Sequence, residues 1–175
     1  SLLLRYKAFD KNIEEIFDLD KLAKFYALTD LANTDHALIW HNLRFYYNPV
    51  SRKLEPIAYD CYPEKIEMSA NQPIFGYSKD KTAFPDYNFI HYSIFNNNSF
   101  KALYVSYLKK FSSSKYLNTL FNELDPDLDL FGKLLTKEYP SSKFNKAFYW
   151  NSIKAIQEAL PDYINSDIKY SLQDY

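Results

Sequence analysis

Glycine is nearly missing from this chain: Gly76 and Gly132 are the only two in 175 residues. A Walker A loop or a G-x-G-x-x-G turn needs several glycines, so that backbone N–H groups can reach phosphate without a side chain in the way. Neither motif exists here. If the chain handles a nucleotide, the loop covering the phosphates lies outside it. Cysteine is limited to Cys61. That excludes an internal disulfide, and no Cys/His cluster has zinc spacing. The formal net charge of −1 gives no basic field to gather nucleic acid or an anionic membrane surface. No apolar run approaches the roughly 20 residues that span a bilayer. The opening S-L-L-L-R-Y-K is too short and wrongly ordered for a signal peptide and reads as a chain cut from something longer.

Aromatic residues are abundant, at 19% with 17 tyrosines. They supply large amphipathic side chains for a core or for a sugar- or partner-binding surface. Their spread along the whole chain favours the core. The length suits one domain over residues 1–175.

Asp18 is placed to cap a helix over 19–32, with apolar residues recurring at Leu19, Leu22, Ala23, Tyr26 and Ala27. Asn33-Thr34 ends it, and 34–42 reads as loop. Residues 43–47 alternate Leu43, Phe45 and Tyr47 against Arg44 and Tyr46, as a half-buried strand does. N-P-V-S-R-K is a turn, and 54–59 is the return strand. Pro56 cannot donate to a ladder, which puts this strand at an edge or a bulge. Residues 61–98 hold no period and read as a long loop with at most a short element. Helices are expected from Asn98 or Ser99 and from Ser113 or Ser114. Asp125-Pro126 is expected to break the second, with a further helix over 127–138. A last helix over 143–160 is stopped by Pro161. The fold class is α+β, mostly helical, with a small hairpin.

The chemistry gathers in 33–60. Asp35, His36, His41 and Asn42 share one polar loop, and the hairpin is short enough to return Asp60 beside Asn42. Each member alone reads as a turn or capping residue. Together, two acids and an amide are oxygen ligands suited to Mg2+ or Mn2+. An Asp, an Asn and a second Asp across a hairpin is also how kinase-like enzymes assemble a base and a metal site. A zinc site on Asp35, His36, His41 and Asp60 lacks helical His spacing. Arg44 is a candidate to contact phosphate or to pair with an acid, Glu55 across the hairpin included. His41 is expected to support the same cofactor side by orienting Asp35 or holding the loop. His91 reads as a surface or partly buried residue with no role, and Trp40 and Trp150 as core. The run 125–130 resembles a calcium loop but lacks its Gly and closing Glu, so an Asp-rich helix start explains it better. Cys61 is reactive only if exposed with a lowered pKa.

The helix L-D-K-L-A-K-F-Y-A-L-T-D-L, then Asp35, then W-H-N-L-R-F-Y-Y-N-P and K-L-E-P-I-A-Y-D resemble the CotH kinase family, the atypical kinases named for spore coat protein H. The likeness covers about Phe17 to Asp60, with a weaker one from Phe100 onward. It implies a protein-kinase-like C-terminal lobe whose N-terminal nucleotide lobe is absent from this chain. It implies Asp35 as the catalytic-loop acid and Asn42 and Asp60 as Mg2+ ligands. It implies ATP as phosphoryl donor, protein Ser/Thr hydroxyls as acceptors, and export to the cell envelope or surface. The chain departs from conventional kinases. Six residues rather than four separate Asp35 from Asn42, Asn33 stands where a His would precede the acid, and Cys61-Tyr62 follows Asp60 in place of Phe-Gly. Two other readings remain: a non-catalytic envelope scaffold of the same fold, and a metal-dependent hydrolase using Asp35, His36, His41 and Asp60.

Overall fold

An aspartate at one end and an asparagine at the other delimit the central helix. In the computed structural model, which describes residues 12–39, 41–62, 74–75, 89–141 and 143–171, that helix, α2, spans Leu19–Ala32. Asp18 accepts from the Lys21 N–H, as its capping role requires. At the far end Asn33 takes the left-handed conformation, φ 51°. The Thr34 N–H bonds the Thr29 carbonyl and the Asn33 N–H bonds that of Asp30. This is a Schellman stop, with Asn in the place glycine usually fills. A short helix, α1 (Ile13–Ile16), precedes it, and a 3-10 turn over Asp35–Leu38 follows.

The hairpin is β1 (Arg44–Asn48) and β2 (Lys53–Ile57). It is an antiparallel two-stranded sheet in unbroken register from Arg44 opposite Ile57 to Asn48 opposite Lys53. The Asn48 side chain accepts from the Val50 and Ser51 N–H groups, which closes the turn. No bulge accommodates Pro56. Instead the Leu54 carbonyl faces away from β1 and accepts from the Asp18 N–H at 3.0 Å. Residues two apart point the same way, so the N–H that Pro56 lacks would also have pointed away from β1. Tyr47 was expected on the buried side of β1, but it is exposed, whereas Phe45, two residues earlier, packs against Phe17 at 5.1 Å between ring centroids.

The remaining helices are α3 (Phe89–Phe95), α4 (Asn98–Phe111), α5 (Ser114–Glu138) and α6 (Lys146–Ser171). The cap of α4 is Asn97, one residue before the expected Asn98 or Ser99, and it accepts from the Phe100 N–H at 2.8 Å. α3 occupies the end of the stretch read as loop; most of 63–88 lies outside the described residues. Two expected stops do not occur. α5 runs through Pro126 and α6 through Pro161. Each proline removes one helical hydrogen bond and strains one turn. In both helices the apolar spacing continues past the proline. In α6 it buries Leu160 and Tyr163 on either side of Pro161, which offsets the loss. The aspartates of 125–130 therefore lie mid-helix and not at a helix start, and Asp125 pairs with Lys146.

The core forms where α2 packs on α4 and α6. Tyr26 sits at its centre, edge-on to Phe75, His91, Phe95 and Phe100. Tyr104 stacks on Phe100 at 5.8 Å between centroids. Trp150 is partly buried against this cluster, whereas Trp40 lies outside the described residues. Among the described residues no helix is long and apolar enough to cross a membrane.

Phe100→Ala is expected to cost about 3–5 kcal/mol, because the side chain is wholly buried and the rings around it cannot collapse into the gap. Tyr47→Ala should stay within roughly 0.5 kcal/mol. Urea unfolding of both variants checks this assignment of the core; equal losses would contradict it.

Candidate functional site

The hairpin carries Asp60 back to the loop that leaves α2, as the chain spacing suggested. Asp60 adopts left-handed backbone, φ 54°, which Asp tolerates better than most residues. The Asn42 Nδ2 donates to Asp60 Oδ2 at 3.1 Å and to the His36 carbonyl at 3.1 Å. Both partners are acceptors, so the amide orientation is settled and its oxygen is the remaining polar atom. Asn42 itself is buried. The second partner of Asp60 Oδ2 is the His36 Nε2, at 3.0 Å. An ionised carboxylate only accepts, so this nitrogen carries the proton.

His36, not His41, therefore meets the acid. The His41 ring stands 6.3 Å from that of His36, and Tyr62 covers His36 at 4.6 Å between centroids. The sequence signal for His36 was weak, since a contact 24 residues away depends on how the hairpin folds back. Asp35 opens the 3-10 turn and is exposed. Among the described residues its side chain makes no hydrogen bond or ion pair. Arg44 does not pair with Glu55; its guanidinium lies over the Tyr59 ring at 5.2 Å. Glu55 is taken by Lys21 at 2.7 Å and by Asn48 at 2.7 Å. That network ties the hairpin to α2. Cys61 is exposed, but partial burial of its sulfur and the Asp60 charge push its thiol up, so it is not an activated nucleophile.

Beneath the loop lies a buried polar pair that the sequence did not single out. His91, read from sequence as a residue without a role, is buried. Its Nε2 bonds the Leu38 carbonyl at 2.8 Å, and its Nδ1 meets the Tyr26 hydroxyl at 2.6 Å. The carbonyl can only accept, so Nε2 carries the proton and Nδ1 accepts from Tyr26. Burial pushes this histidine down to about 4, against the Leu38 bond. The ring pins the end of the 3-10 turn whose start carries Asp35 and His36. Asp30, in the last turn of α2, is also buried. It accepts from the Phe75 N–H at 3.0 Å and from the Tyr104 hydroxyl. Burial raises its carboxyl to about 7, outweighing both donors, and the Asp35 charge adds to the rise.

The site's donors are hard oxygens. No donor among the described residues bonds Asp60 Oδ1 or Asn42 Oδ1. One carboxylate and one amide oxygen are a donor set that Mg2+ accepts while it keeps water and phosphate ligands. Among the described residues no three His, Cys, Asp or Glu side chains gather as a metal-holding group. The hydrolase set Asp35, His36, His41 and Asp60 therefore does not converge.

Comparison of the chain with protein families, curated proteins and solved structures finds no match.

Proposed function

We propose that Asp35, Asn42 and Asp60 form the base-and-metal half of an ATP- and Mg2+-dependent phosphoryl-transfer site of the CotH kinase kind, acting on a protein Ser/Thr hydroxyl. The observation that carries this reading is the Asn42–Asp60 hydrogen bond, made across the hairpin from the 3-10 turn that the exposed Asp35 opens.

Asp60 and Asn42 would hold the magnesium ion, which supplies charge neutralisation on the nucleotide phosphates. His36 and Asn42 orient the Asp60 carboxylate through Oδ2, and among the described residues nothing donates to Oδ1. Asp35 stands at the open end of the same 3-10 turn, where its carboxylate can accept the proton of an acceptor hydroxyl. The His91–Leu38 bond holds that turn in place from below. Arg44, stacked on Tyr59, is positioned by the ring and presents its positive charge beside the return strand, where phosphate binding would use it. With two glycines in the chain, a glycine-rich phosphate cover would come from outside it. The same reading carries with it the exported, envelope or surface setting of that family.

A second reading has its own support. Tyr46, Tyr47, Tyr59 and Tyr62 are all exposed around the hairpin, and such a surface suits a non-catalytic scaffold that binds a protein or glycan. Calorimetric titration of Mn2+ with ATP into the intact protein, phosphate cover included, separates the two. The kinase reading expects saturable binding that requires both metal and nucleotide. Heat absent for both would leave the scaffold reading.

A further inference from the structure

Strand β1 has one paired edge and one open edge. Its partner β2 lies on one side, and among the described residues no strand pairs with the other. An antiparallel ladder alternates, so each backbone group of β1 can be assigned to an edge. The Leu54 carbonyl points away from β1, to the Asp18 N–H. Leu54 and Pro56 therefore turn their backbone groups outward, and their cross-strand partners Tyr47 and Phe45 do the same on the far side of β1. Among the described residues nothing bonds the N–H or C=O of Phe45 or Tyr47. The outer edge of β2 is covered by Phe17 and Asp18. That of β1 is not, and R-F-Y-Y-N has none of the lysine, proline or bulge that blunts an exposed edge. Tyr46 and Tyr47 are 52% and 48% exposed along it.

Such an edge accepts an extended backbone, and the side chains select which one. Laid antiparallel on itself about Tyr46, R-F-Y-Y-N sets Phe45 opposite Tyr47 at both ends of one face. On the other face Tyr46 meets Tyr46, and Arg44 meets Asn48. Aromatic pairs directly opposite one another stabilise a sheet, and no like charges face each other here. The free backbone groups also fix the register. In this one, each N–H of Phe45 and Tyr47 meets a free carbonyl of the other copy. A slip of two residues one way brings in Pro49, which has no N–H to give. A slip the other way brings in Leu43, whose N–H is already held by the Ile39 carbonyl at 2.9 Å. The covered edge of β2 stops growth at two copies, so the pairing closes as a twofold dimer. We propose that β1 pairs antiparallel with β1 of a second copy of this chain, centred on Tyr46, joining the two hairpins into one continuous sheet.

Sedimentation velocity of the chain, at concentrations up to about 100 µM, above the micromolar range of a weak interface, tests the pairing. The expected species has twice the monomer mass of 20.8 kDa. Tyr47→Pro removes an edge donor from each copy without touching a bond inside the hairpin, and should weaken the dimer at least about tenfold. Its far-UV circular dichroism should match the parent chain. Tyr47→Phe keeps the N–H and should leave the dimer intact. Crosslinking reads the register directly. In a Cys61→Ser background, Tyr46→Cys sets two thiols directly opposite, with Cα atoms about 4.5 Å apart and within disulfide reach. Mild oxidation should then give a covalent dimer. Asn48→Cys in the same background leaves its two copies about 13 Å apart along the strands and should not crosslink. A chain that stays monomeric overturns the proposal, and so does a dimer that survives Tyr47→Pro. If Tyr47→Pro loses secondary structure, the two cysteine variants decide. A dimer that does not crosslink through Tyr46→Cys, or that crosslinks equally through Asn48→Cys, overturns it as well.

Discussion

Asp60→Ala is expected to abolish Mn2+–ATP binding, and with it ATP-dependent phosphorylation of a protein acceptor by the intact protein. The argument rests on what remains when the carboxylate goes. Asn42 then contributes a single neutral oxygen, and no other described acid stands within bonding reach of its amide. A hard cation held by one amide oxygen and water has no advantage over a cation in bulk water. The loss in turnover should reach about 10²–10³ or more, the range seen when one preorganised charge-stabilising group is removed. The fold should survive, since the Asp60 side chain is 41% exposed, although His36 and Asn42 each lose an acceptor. Asp60→Asn answers that concern. It keeps an acceptor for both donors while removing the charge, so it should unfold like the parent chain and still fail to bind the metal nucleotide. Turnover undiminished in both variants would remove the kinase reading altogether.

The second large effect is a pH dependence of stability that stays hidden until one of two residues is replaced. Asp30 has its folded value raised to about 7 from 3.8. Its contribution is fully present below about pH 3.8 and is lost as pH rises through 7, worth about 4 kcal/mol across that window. His91 has its folded value lowered to about 4 from 6.5. Its contribution is present above 6.5 and is lost as pH falls through 4, worth about 3 kcal/mol. Between about pH 4 and 6.5 the folded state holds one proton more than the unfolded chain at Asp30 and one fewer at His91. The two slopes cancel. In Asp30→Asn the His91 slope should stand alone, with stability gaining about 3 kcal/mol from pH 4 to 6.5 relative to the parent chain. In His91→Gln the Asp30 slope should stand alone, with stability falling by about 4 kcal/mol from pH 4 to 7. Urea unfolding across this range gives both difference curves. Flat differences for the two variants would show that neither group changes its proton binding on folding. The link to the site is mechanical. His91 fastens Leu38, and the Tyr104 and Phe75 bonds to Asp30 fasten the last turn of α2, so the loop carrying Asp35 to Asn42 rests on these two groups.

Much of the local architecture was legible from particular residues. Asp18 and Asn33 mark both ends of α2, and the structure uses each in the expected way. The alternation in 43–47 located β1 to within one residue, and the turn at Asn48 set the hairpin. Pro126 and Pro161 misled, because a proline's cost is local and readable while the apolar burial that offsets it is tertiary. The pairing of Asn42 with Asp60 was legible, since a short hairpin closes on itself. The choice of His36 over His41 as the partner of Asp60 was not. Neither was the burial of His91, whose contact with Tyr26 spans 65 residues.

From sequence alone follow the two ends of α2, the place of the hairpin, the absence of a phosphate-binding glycine loop, and the oxygen character of the Asp35, Asn42 and Asp60 set. These depend on side-chain type, period and turn chemistry, which act over a few residues. Tertiary structure alone decided that Asp30 and His91 are buried and that Asp60 leans on His36. Burial and long-range contact are properties of the assembled helices. They appear only once α2, α4 and α6 have excluded water from the space between them.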